Sequence, residues 1–154
     1  MHRRLRTVLG ALMLLNGLLA FGHALVNTSM LKVLFAHFGT EDQLYFWSFM
    51  AHWLIGPLAL VIVGSVFLLG DKSQNTRQLV TAVATNAFVV LAWVVKAVVW
   101  VPGVGLSYSL FENFNYATNE KPLLATLAAY SHPISVLSLC LALIGLALAR
   151  KKPY

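Results

Sequence analysis

Residues 46–69 and 79–101 are long apolar stretches, separated by little more than the polar run "GDKSQNTR". A hydrocarbon layer of about 30 Å needs roughly 20 apolar residues in helical form. Each stretch is long enough to cross such a layer, and the turn between them is too short to do anything but send the chain back. Residues 7–26 and 123–149 meet the same length requirement. The expectation is an all-α, polytopic membrane protein: a four-transmembrane-helix antiparallel bundle forming one transmembrane domain over residues 1–154. The remaining connections, 27–45 and 102–122, are longer.

Composition agrees. Of the 154 residues, 59% are hydrophobic and 10% charged, whereas a soluble domain carries about 25% charged residues. So few charges cannot cover a water-facing surface of this size. The net charge of +6 would suit nucleic acid if it formed a stripe, but the basic residues cluster at the edges of the apolar segments. That placement belongs to a lipid bilayer and argues against nucleic acid as a partner.

The same residues orient the chain. Arg3, Arg4, Arg6, Lys72, Arg77, Arg150, Lys151 and Lys152 lie at the termini and the short turn. The long connections hold only Lys32 and Lys121, outweighed by Glu41 with Asp42 and by Glu112 with Glu120. Lysine and arginine are retained on the cytoplasmic side, so both the N- and C-termini are expected in the cytoplasm. That requires an even number of spans, which four satisfies. The bacterial inner (plasma) membrane is the expected location. The "MHRRLR" start and "GHA" before Leu25 fit a cleavable leader tolerably. The apolar run is nevertheless long enough to span, and a retained helix is the expectation.

The long connections are not plain polar linkers. "MLKVLFAHF" places Met30, Leu31, Leu34, Phe35 and Phe38 on one face, as an amphipathic helix lying in the outer interface. Tyr108, Phe111, Phe114 and Tyr116, with Tyr45, Trp47, Trp53 and Trp100, suit an aromatic belt at headgroup depth. These two loops are expected to cap the outer mouth of the bundle. The two helix pairs do not repeat one another's polar positions, so an inverted-repeat transporter is not expected. Cys140 is single, makes no internal disulfide, and is expected to be a small packing residue.

Function has to be sought among the polar groups within the spans, since ionisable side chains there are costly and usually face the bundle interior. Depth follows from the topology at about 1.5 Å per residue. His23, His52, Lys96 and His132 come one from each span, and all fall in the outer half. No charged or imidazole residue is expected in the inner half of any span. Pro57 and Pro133 remove the amides that would pair with the carbonyls of Trp53 and Ala129, close to His52 and His132. Small residues mark close helix approach. Ala128, Ser131, Ser135, Ser138 and Ala142 form one such stripe with His132 at its edge, Ser48, His52, Gly56 and Ala59 a second, and Gly10 with Gly17 and Ala24 a third. Asn16 and Asn86 are expected to be hydrogen-bonding glue between helices.

Each basic group also has a purely structural use. His23 can rest among headgroups, Lys96 can snorkel, and His52 and His132 can bond to neighbouring helices. Taken as a binding site, His23, His52, Lys96 and His132 could serve a haem b through two axial imidazoles. His23, His52 and His132 could ligate a divalent metal such as zinc, or copper. The cluster could instead donate hydrogen bonds to a quinone, with Trp93 and Trp100 as walls. The spans hold no carboxylate, so a self-sufficient enzyme and a proton or cation path are both poorly supported. The favoured expectation is a non-catalytic accessory or interaction subunit, partnered by other membrane subunits or by self-association. The alternative is a haem-, metal- or quinone-binding redox subunit.

Overall fold

A computed structural model of the protein describes residues 3–26, 43–70, 75–100 and 131–150. The described residues are helical except for a bend at Gly70, and none is in a strand. The helices are α1 (Arg3–Val26), α2 (Gln43–Met50), α3 (Gly56–Leu69), α4 (Asn75–Trp100) and α5 (Ser131–Arg150). A single π-helical turn, Ala51–Ile55, joins α2 to α3 with right-handed helical backbone at Met50, Ile55 and Gly56. Helix, turn and helix therefore form one rod. Four stretches are long and apolar enough to cross a membrane: Arg4–Gly22, Phe46–Leu69, Thr76–Val95 and Ser131–Ala149.

The wide turn has a local cause. Pro57 offers no amide hydrogen, and in a regular helix its ring would press on the carbonyl of Trp53. Inserting one residue into the preceding turn relieves that conflict. The Gly56 amide donates to the Ala51 carbonyl, five residues back.

Helices α1 and α3 approach at backbone distance. Gly10 lies against Gly64 and Phe67, and Gly17 against Pro57 and Val61, so the two helices run in opposite directions. A Cβ on Gly64 would lie 2.6 Å from the Leu14 backbone nitrogen and 2.9 Å from the Gly10 carbonyl oxygen. One on Gly17 would lie 2.7 Å from the Pro57 carbonyl oxygen. Only glycine fits where backbones meet so closely, which is the usual way helices associate when lipid removes the hydrophobic drive.

A core of Leu9, Met13, Leu60, Phe67, Leu79, Ala82, Val89 and Ala142 joins all four long elements. Their other faces are apolar and exposed, with Leu18, Ile62, Leu91 and Ile144 each more than half accessible. This inversion, apolar outside as well as inside, suits a lipid solvent.

Arg6, the basic residue next to the first apolar run, is part of α1 and is buried at 7% exposure. One expectation changes. Cys140 is not a packing residue, because it is exposed on the outer face of α5. The amphipathic segment, His37, most of the aromatic belt, the carbonyl of Ala129 and the stretch 123–130 lie outside the described residues, as do the side chains of Ala24, Tyr45 and Trp100.

Candidate functional site

The buried stripe of α5 begins at its first turn with Ser131 and His132 and continues through Ser135, Ser138 and Ala142. Spacing of three and four residues puts these on one helical face. The matching stripe of α4 runs through Leu79, Ala82, Asn86, Val89 and Trp93. Where the two meet, the indole of Trp93 stacks on the imidazole of His132, with ring centroids 4.7 Å apart and planes 14° from parallel.

His52 closes the other face of His132. Its ring lies 5.2 Å from that of His132, inclined by 28°, and Trp53 packs edge-on against it at 5.3 Å. Three separate elements thus supply one column of rings: Trp93 from α4, His132 from α5 and His52 from the π-helical turn. The widened turn makes this meeting possible, since it rotates the residues before Pro57 relative to α3. Aromatic pairs in such offset geometry contribute about 0.5–1.5 kcal/mol beyond their buried area.

Of the four residues singled out by depth, His52 and His132 are brought together. The side chains of His23 and Lys96 lie outside the described residues. Among the described residues, no three of His, Cys, Asp and Glu gather into a group able to hold a metal ion. Stacked face to face, His52 and His132 present ring faces to each other, whereas axial ligation of a haem or a shared ion needs ring-edge nitrogens aimed at one point.

One turn into α5, the Asn16 side-chain amide of α1 donates to the Ser135 hydroxyl at 2.7 Å, and that hydroxyl donates to the Ser131 carbonyl at 2.9 Å. Asn16 is therefore the interhelical link expected of it. Asn86 is not, for its amide donates to the Ala82 carbonyl of its own helix at 2.8 Å. Its carbonyl oxygen is buried with no partner.

A second polar site stands at the opposite end. The Arg6 guanidinium of α1 donates through Nε to the Phe67 carbonyl at 2.8 Å and through Nη2 to the Gly70 carbonyl at 2.6 Å. These acceptors sit at the last turn of α3, where carbonyls lack helical donors and the helix dipole favours a positive charge. Gly70 leaves the helix in an extended conformation (φ −76°, ψ 165°), which turns its carbonyl outward from the helical ladder. Sequence reasoning missed Arg6 because a basic residue beside an apolar run ordinarily marks the membrane edge. The available signal was its spacing: Arg6, Leu9 or Gly10, Met13, and Asn16 or Gly17 continue the buried stripe at three- and four-residue intervals.

No protein-family model matches the chain, and neither a curated protein nor a solved structure matches it.

Proposed function

We propose that the chain is a non-catalytic accessory or interaction subunit of a membrane complex. Its four spans are arranged as an antiparallel bundle with both termini in the cytoplasm, in a bacterial inner membrane. The observation that carries this reading is how the polar interior is used. His132 has both ring faces covered, Asn16 is bonded to Ser135, and Arg6 is bonded to two carbonyls. The helical frame, by contrast, presents large apolar side chains outward on every span. All five acidic residues fall outside the described residues, so this frame holds no carboxylate for acid–base chemistry. Outward faces that are largely apolar suit lipid and the helices of neighbouring subunits equally well. The distribution of Lys and Arg supports the orientation.

Mild-detergent purification from the native membrane, followed by mass spectrometry, tests this. A second membrane protein in fixed stoichiometry is expected, retained in the His52→Ala and His132→Ala variants. A chain that always purifies alone and monodisperse overturns it.

The juxtaposition of His52 and His132 supports a second reading, a haem-, metal- or quinone-binding redox subunit. A visible spectrum with metal and quinone analysis of the same preparation separates the two. A Soret band, a stoichiometric metal or an extracted quinone would select the redox reading.

A further inference from the structure

Arg4 and Arg6 lie two residues apart on α1 and take opposite sides of it. Arg6 is buried against the last turn of α3, whereas Arg4 is exposed. Residues three and four apart share one side of a helix, and the exposed side headed by Arg4 continues through Val8, Ala11, Leu15 and Leu18. Helix α4 repeats the pattern. Arg77 is exposed in its first turn, and the same side continues through Val80, Ala84, Phe88 and Leu91. At 1.5 Å per residue, each stripe carries apolar side chains over about 21 Å beyond its arginine.

Both arginines stand at one end of the bundle. Arg6 reaches the Phe67 and Gly70 carbonyls, and only residues 71–74 separate Gly70 from the start of α4. Five residue steps span at most about 18 Å, so α4 begins beside that end. It then runs toward the ring column, where Trp93 meets His132. Charge at this end is of one sign. Neither α1 nor α4 contains an acidic residue, and in the connection Lys72 offsets Asp71. Arg6 directs its donors to neutral carbonyls, which leaves its own charge in place.

An exposed cation at the end of a long apolar stripe matches an amphiphile with acyl chains and an anionic headgroup. A zwitterionic lipid offers the same phosphate but brings an ammonium that the arginines repel. We propose that the stripes headed by Arg4 and Arg77 are two separate seats for anionic phospholipids of the phosphatidylglycerol type, in the leaflet at this end. The guanidinium donates to phosphate oxygens, and the acyl chains lie along the stripe. Each basic residue near an anionic leaflet adds to the attraction, through a field that salt screens. The seats rest on the bundle's lying in a bilayer and do not need the proposed subunit role.

Photo-crosslinking of the full chain in phosphatidylcholine vesicles tests this. The probes are trace phosphatidylglycerol and trace phosphatidylcholine, each with a diazirine in one acyl chain, and adducts are mapped by mass spectrometry. Adducts within residues 8–18 and within residues 80–91 are expected to be about three- to fivefold more abundant with the phosphatidylglycerol probe. Arg4→Gln should remove the preference at the first stripe and leave the second, and Arg77→Gln should do the reverse. Both side chains are exposed, so circular dichroism is expected to show unchanged helix content in the variants. Equal labelling by the two probes in the wild type overturns the proposal. So does a preference that survives loss of its own arginine, or one lost at both stripes from a single substitution. Competition by excess inorganic phosphate overturns it as well, because a free anion has no chains to lay along the stripe.

Discussion

The two seams of α1 are built on opposite principles. Against α3 it makes backbone contact at Gly10, Gly17 and Gly64, with the side chains of Phe67, Leu68 and Val61 packed beside the glycines. Against α5 its polar tie is a side-chain hydrogen bond from Asn16 to Ser135. The first seam is intolerant of a single added carbon but needs no chemical specificity. The second depends on donor meeting acceptor. A bundle in lipid cannot rely on excluding water between helices, and α1 shows both available substitutes, close approach and hydrogen bonding.

Breaking the glycine seam should cost most. Gly64→Val would drive side-chain atoms into the backbone of Leu14 and Gly10, and a loss of about 3 kcal/mol or more is expected from overpacking. Unfolding in mixed micelles would measure it, and a change below 1 kcal/mol would mean the helices separate easily. Arg6→Leu should come next. It strips charged donors from the Phe67 and Gly70 carbonyls, worth about 1.5–3 kcal/mol. Arg6→Lys should recover only part, since a lysine cannot present two nitrogens in a fixed fork.

The side-chain seam should be weaker. Asn16→Leu or Ser135→Ala is expected to cost about 1 kcal/mol, with a coupling near 0.6 kcal/mol in a double-mutant cycle, the usual size inside membranes. Additive effects would show that the bond contributes nothing. The smallest change concerns the ring column. His132→Leu should cost about 0.5–1.5 kcal/mol of ring contact and alter the near-ultraviolet circular dichroism of Trp93. An unchanged spectrum would deny the stack any role in holding the indole.

Much of this was readable from residue order, and the limits have physical causes. The number of spans followed from apolar run length, because lipid thickness imposes it. The buried stripe of α5 followed from helical periodicity, and His52 and His132 stood out because histidine is costly in an apolar run. Their stacking on Trp93 was not readable. It depends on how far each helix is rotated, and the π-helical turn before Pro57 resets that rotation by an amount no periodicity records. Asn86 was misassigned because an asparagine can satisfy its donor within its own helix as easily as across a seam. The burial of Arg6 was not readable either, because its acceptors lie more than sixty residues away.

That separation has a consequence for biogenesis. The carbonyls that receive Arg6 belong to Phe67 and Gly70, so α1 cannot be fastened until the whole second span has left the ribosome. Until then its guanidinium lacks the two carbonyl acceptors of the finished fold. The latch closes only when Gly70 arrives, so early-emerging α1 is held open for its partner rather than committed alone.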